Sequence, residues 1–254
     1  MMNPPTAILS ATLFVSCGLA RAQEVAAEYP DRIDGDIGVS VVSNRSVVRG
    51  STDSVSPLPY ANFDYGRAFV RIDTLGVKTL PVAYGHVELI ARVSQDGFKA
   101  DTPALTGITD RRTPLPVGLG SLQVTPLGAL FINGFHDFNR SKGNLAELIY
   151  AAQLDLGSVT LYPEIGLEYL SRKYNRYFYG VSQAECKSSA YAAYQPGSAL
   201  NPLLGLLGEI KVTPTWYLNF YLRRRWLDKT ISASPLVTRA QQDSGLLALS
   251  YRFK

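Results

Sequence analysis

Between Leu203 and Leu227 alternate residues sort apolar from polar with a period of two. Leu204, Leu206, Gly208, Ile210 and Val212, then Trp216, Leu218, Phe220, Leu222 and Trp226, share one face, which only Arg224 interrupts. The other face carries Glu209, Lys211, Tyr217, Asn219, Tyr221, Arg223 and Arg225. That period belongs to a strand, whose successive side chains point to opposite sides. Folded about Thr213-Pro214-Thr215, the segment predicts a hairpin with a lipid-like outer face and a wet inner one, as in the wall of a membrane barrel. At about 3.3 Å per residue and a tilt near 40°, Trp216 and Trp226 stand roughly 25 Å apart along the membrane normal, the spacing of two aromatic girdles.

The same alternation recurs along the chain. In 144–156, Ala146, Leu148, Tyr150, Ala152, Leu154 and Leu156 oppose Glu147, Gln153 and Asp155; in 158–172, Val159, Leu161, Ile165, Leu167 and Tyr169 oppose Thr160, Tyr162, Glu164, Glu168 and Arg172. Strands are predicted at 33–43, 57–65, 66–73, 75–80, 82–94, 116–125, 127–138, 144–156, 158–172, 203–213, 215–227 and 244–253. The pattern therefore gives an all-β chain forming a single transmembrane antiparallel β-barrel of about twelve strands, or ten if 66–73 and 75–80 merge with neighbours. From residue 95 on, tight connections at Thr125-Pro126-Leu127, Leu156-Gly157-Ser158 and Thr213-Pro214-Thr215 alternate with long ones at 95–115, 173–202 and 228–243. Tight periplasmic turns and long extracellular loops are the asymmetry of outer-membrane barrels. The last strand turns Leu247, Leu249, Tyr251 and Phe253 outward, the type of signal that barrel-assembly machinery reads, although Lys254 follows the Phe.

Composition narrows the class further. No stretch of the body reaches the roughly 18 uninterrupted apolar residues of a spanning helix, so a membrane protein of this sequence crosses with strands. A mean hydropathy of +0.01 agrees, since every second barrel residue faces the lumen. The net charge of +4 is thinly spread and forms no basic run suited to nucleic acid. At the N-terminus an apolar run from Ala7 to Leu19 and the small-x-small site Ala20-Arg21-Ala22 predict a signal peptide over 1–22. A periplasmic leader over 23–32 and the barrel over 33–254 follow. Cleavage leaves Cys186 as the single cysteine, which excludes an internal disulfide.

Candidate chemistry is sparse. Tyr84, His86, Glu88 and Arg92 are predicted on the inner face of one strand. A Ser/His hydrolase would need a base, an orienting acid and a nucleophile within reach, but no Gly-x-Ser-x-Gly is present, and a polar network lining the lumen is the simpler reading. His136 lies near Phe135 and Phe138 at a strand end. No His/Asp/Glu cluster has metal-ligand spacing, and no cofactor is called for. Glu147, Glu164, Glu168 and Glu209 stand with Lys211, Arg172, Arg223 and Arg225 on the inner face, either lining a selective pore or plugging a small barrel with ion pairs. Tyr174, Tyr177, Phe178, Tyr179, Tyr191 and Tyr194 crowd the long 173–202 loop. They form either an ordered cap over the mouth or a recognition surface.

Residues 174–185, YNRYFYGVSQAE, with Ala190-Tyr191 and Tyr194, resemble the signature of the MltA-interacting protein family, also called MipA/OmpV. Pro59-Tyr60, Asp64-Tyr65-Gly66-Arg67, Phe69, Leu119-Gly120, Ser234-Pro235-Leu236-Val237 and the closing Leu249-Ser250-Tyr251-Arg252-Phe253 carry the same resemblance. It implies a non-enzymatic outer-membrane protein set in lipid and lipopolysaccharide. It further implies a scaffold linking a lytic transglycosylase to a peptidoglycan synthase, or, as for other members, adhesion or passage of small solutes.

Overall fold

A computed structural model describes residues 29–253 apart from Thr52 and Gln95. The signal peptide expected over 1–22 and most of the leader over 23–32 lie outside the described residues. One antiparallel sheet of thirteen strands closes on itself. The strands are β1 (Asp34–Asn44), β2 (Ser54–Tyr65), β3 (Ala68–Arg71), β4 (Thr74–Val82), β5 (Gly85–Arg92), β6 (Pro116–Thr125), β7 (Gly128–Asp137), β8 (Asn144–Ala151), β9 (Leu154–Asp155), β10 (Val159–Leu170), β11 (Ala199–Lys211), β12 (Trp216–Trp226) and β13 (Gln241–Phe253). Each pairs with the next in sequence except β8, which pairs with β10 as β9 does, and β13 pairs with β1 to shut the ring. Strands β8 and β9 are two parts of one stave against β10, so the barrel has twelve staves, the higher of the two expected counts.

The expected strands are all present, with instructive shifts. Residues 144–156 break at Ala152 and Gln153, opposite Pro163, which has no N–H to donate to the ladder. Residues 82–94 lose their first part to a turn at Ala83 and Tyr84. Strand β2 begins at Ser54 rather than 57, so Pro57 and Pro59 lie within it. The loop expected over 173–202 ends at Ala199, where β11 starts. It folds into two helices, α1 (Arg172–Tyr179) and α2 (Gln183–Ser188). A third, α3 (Lys229–Ser232), sits in the last long connection. At the tight turns a left-handed backbone is needed, and Gly157 supplies it between β9 and β10 with φ +77°. Ile72, between β3 and β4, holds φ +55° as a β-branched residue.

The barrel is apolar outside and polar inside. Val39, Leu119, Ile165, Leu222, Leu247 and Leu249 are exposed on the outer surface. Asp36, Ser40, Glu88, Glu147, Glu168, Asn201, Asn219, Arg225 and Ser250 are buried within. This inversion follows from a hydrocarbon solvent, which rewards apolar exposure and leaves backbone groups to be paired in a closed sheet. Most of the apolar core lies above the barrel. Tyr174, Phe178, Tyr179, Leu105, Ile108, Val181, Ile231, Leu236 and Val237 pack with Val47, Val48 and the strand ends at Leu145 and Leu170. The long connections therefore form a folded cap over one mouth, knitted by bridges between Val48 and Val237 and between Phe98 and Arg111.

Candidate functional site

The lumen is crossed by ion pairs that alternation places on the inner face. Glu147, on β8, receives Arg92 Nη1 at 2.5 Å from β5 and Arg223 Nη2 at 3.3 Å from β12. Strands β5 and β12 lie on opposite sides of the ring, so one buried carboxylate ties the barrel across its width. Arg225 Nη1 donates to both oxygens of Glu168 at 2.7 Å, and Asn201 donates to Glu168 at 2.8 Å. Tyr221 donates to Glu164 at 3.0 Å. Charges taken out of water this way are held by mutual pairing and hydrogen bonds.

Nearer the tight turns the filling continues. Arg252 donates to Asp36 at 2.7 Å through two nitrogens, reaches Glu209 at 2.6 and 2.8 Å, and lies 3.7 Å over the Tyr217 ring. Arg71 grips Glu88 through two bonds at 2.7 and 2.8 Å. Phe69 and Ile90 also point inward, into space left by Gly76 and Gly120, where an added Cβ would come within 2.6 to 2.7 Å of them. Tyr29 packs on His86 with ring centroids 5.4 Å apart, and Arg67 lies 4.7 Å over Tyr29. The hydroxyl of Ser121 donates to the backbone carbonyl of His86 at 2.8 Å, not to its ring. Among the described residues no nucleophile is hydrogen-bonded to that imidazole.

Of the expected inner set, Glu88, Arg92, Glu147, Glu164, Glu168, Glu209, Arg223 and Arg225 enter these networks. Tyr84 does not, because it sits in the turn before β5, where its N–H donates to Gln123. Lys211 ends β11 exposed and joins no ion pair among the described residues, and Arg172 opens α1 on the outside of the cap. Alternation also places Asp36 and Arg252 inside, opposite Ile37 and Tyr251, so that signal was available for them. Arg71 lies on a strand of four residues, too short for the period to be read.

At the cap, Tyr174, Phe178 and Tyr179 are buried, and the other three rings are spent on loop-to-loop bonds. Tyr191 donates to the Ala104 carbonyl at 2.5 Å and Tyr194 to that of Thr230 at 2.9 Å, while Tyr177 accepts from the Arg112 N–H at 3.1 Å. The Tyr174 hydroxyl donates to Asp96 at 2.5 Å. Burial and that carboxylate together hold its pKa well above the usual tyrosine value.

Glu185, at the start of α2, closes a capping box with Ser182 and takes Arg111 Nη2 at 2.8 Å and the Thr109 hydroxyl at 2.7 Å. Burial alone would push this carboxyl up. The bonds from Ser182, Thr109 and Arg111 outweigh it and hold the group at about 2.

Trp216 is exposed beside Tyr251, which meets Phe253 edge to face, at the rim of tight turns. Trp226 is half-buried at the other end of β12. Arg224, the exception on the outer face, pairs with Asp243 at 2.7 and 3.0 Å near that upper end.

The family described as MltA-interacting protein MipA matches residues 37–253. YiaT of Escherichia coli (strain K12), named as an outer membrane protein, is 23% identical over 221 residues, covering 85% of this chain and 90% of its own. The MltA-interacting protein of the same strain is 24% identical over 203 residues, covering 78% and 82%. OmpV of Vibrio cholerae, also an outer membrane protein by name, is 26% identical over 151 residues, covering 59% and 58%.

Proposed function

Because the chain belongs to the MltA-interacting protein family, we propose that this outer-membrane barrel is a non-enzymatic scaffold for murein enzymes. It holds a lytic transglycosylase and a peptidoglycan synthase at the periplasmic face. The observation that carries the reading is the filled lumen: the Arg92–Glu147–Arg223 bridge crosses the barrel beneath a folded cap. A barrel closed in this way acts through its rims. The periplasmic rim is more than bare turns, since residues 29–32 pack onto it, with Gly66 N–H donating to the Pro30 carbonyl at 2.6 Å and Tyr29 seated between His86 and Arg67. A stable interface takes about 800 Å² from each partner, so leader and several turns together form the contact.

Affinity isolation of the detergent-solubilised protein from cell envelopes tests the proposal. Recovery of a transglycosylase and a penicillin-binding protein, lost when 23–32 is deleted, is the expected result. Recovery of neither, together with steady conductance in planar bilayers, favours the rival reading as a solute channel.

A further inference from the structure

The wall of the barrel is incomplete on one side. Strand β3 is only four residues long and covers 62–65 of β2, after which the chain turns at Ile72 and Asp73 and descends again. Above that turn, residues 54–60 of β2 pair with β1 alone among the described residues. Six successive residues, 54–59, are exposed, inner and outer faces alike. Leu58 faces inward with Ser40 and Val42, yet it is 47% exposed where they are 5% and 8%. Two cavities flank the gap. One of about 160 Å³ runs from Ile72, Asp73, Val93 and Ser94 to Glu147, Arg223 and Arg225 in the lumen. The other, about 140 Å³, separates Ser54 from Asp96 and Phe98 beneath the cap.

The edge itself is chemically unusual. Ala61 turns its carbonyl toward β3, where it accepts the Ile72 N–H at 2.9 Å. Residues of the same parity, Val55, Pro57 and Pro59, therefore aim their backbone groups into the gap. Two of the three are prolines, so the edge offers carbonyls with almost no N–H donors, a poor template for an added strand. Its depth is set by the neighbouring staves, which expose Val39 and Val41 on the outer face beside it and carry Arg45, Asp53 and Asp243 in ion pairs just above. Open edges facing hydrocarbon are not tolerated, so these carbonyls require water reaching them from the lumen. Inside the gap the lining is mixed: Val42, which pairs with Leu246 on β13, and Ile72, Val93, Phe135 and Leu145 give an apolar strip among the polar groups that lead to the arginines.

We propose that this gap is a lateral portal through which a single hydrocarbon chain of an outer-leaflet amphiphile enters the lumen. The chain tip rests on Val42, Leu58 and Leu246, and the polar head remains at the hydrated rim formed by the β2 carbonyls and Asp73. A cavity of this size is comparable to an engineered apolar one of about 150 Å³ that takes benzene, room for the end of a chain.

The test uses single cysteines in a Cys186→Ser background, labelled with bimane in phosphatidylcholine vesicles brominated in mid-chain. Leu58→Cys reports the portal, outward Val41→Cys reports lipid, and Thr160→Cys reports an inward site on a sealed wall. Ser56→Cys, also inward and exposed, replaces Leu58→Cys if that variant loses the heat-modifiable migration of a folded barrel. Quenching at the portal within about twofold of that at Val41 is expected, with Thr160 unquenched, because only an opening brings lipid chains to an inward residue. Excess lauric acid then relieves quenching at the portal and leaves Val41 unchanged. Portal quenching as weak as at Thr160 overturns the proposal, and so does quenching that lauric acid leaves untouched.

Discussion

Two carboxylates illustrate how single residues set local stability here. Glu147 balances two arginines inside the barrel, so Glu147→Gln leaves Arg223 with no ion pair among the described residues and Arg92 with only Asp73 at 3.8 Å. Breaking a buried pair by removing one partner costs about 3–5 kcal/mol. Urea titrations of refolding into vesicles should give a loss of that order, and a change below about 1 kcal/mol, the scale of exposed pairs, would mean water reaches the bridge freely. Glu185 acts in the cap, and its effect is visible through pH. Its carboxyl is held at about 2, below the unfolded value near 4.3, so its contribution is complete above that value and is lost as pH falls toward 2. Hydrogen exchange of 172–188 should therefore accelerate between these limits, while Glu185→Gln should exchange fast throughout and show no such transition.

At the scale of the element, period two revealed which face each residue takes but not what lies across the lumen. Glu168, Arg223 and Arg225 are inside as alternation requires, because a slip of one residue would put charges into lipid. The partners of Glu147, Arg92 and Arg223, depend on which staves the closed ring brings opposite one another, and a single strand does not encode that. The cap helices were hidden for another reason. The run YNRYFY reads as a long loop beside strands, and becomes helix because Tyr174, Phe178 and Tyr179 can share one core with Leu105, Ile231 and Leu236 from other connections. Pro57 and Pro59 signal an end to a strand unless its edge is free, which is their situation in β2.

The register of β12 can be checked directly. Phe220 faces out and lies over Gly208 of β11, whereas Tyr221 faces in toward Glu164. Phe220→Arg should cost about 2–4 kcal/mol in refolding titrations, the figure for a cation on the lipid face at mid-depth, and Tyr221→Arg clearly less. Equal losses would place the strand one residue out of register.

Taken whole, the molecule is stabilised in two solvents. The barrel has its apolar surface against lipid and its charges paired within, and it needs the bilayer to reward that arrangement. The cap has an ordinary apolar core and needs water around it. The two meet along the strand ends at Leu145 and Leu170 and at Asp96, which accepts from Tyr174 above and lies 3.7 Å from Arg225 below. Each layer should then block passage independently. Replacing residues 172–188, and the connections 97–113 and 229–239 with them, by short Gly/Ser linkers removes the lid, yet the Arg92–Glu147–Arg223 bridge still spans the lumen beneath it. Planar bilayers should therefore stay nearly silent with the lidless chain, provided it keeps heat-modifiable migration. Adding Glu147→Ala with Arg223→Ala should raise conductance at least about tenfold, since small barrels exclude ions by filling their interior with side chains. Steady conductance from the lidless chain alone would place the barrier in the cap, and the ion pairs would then line a pore instead of closing it.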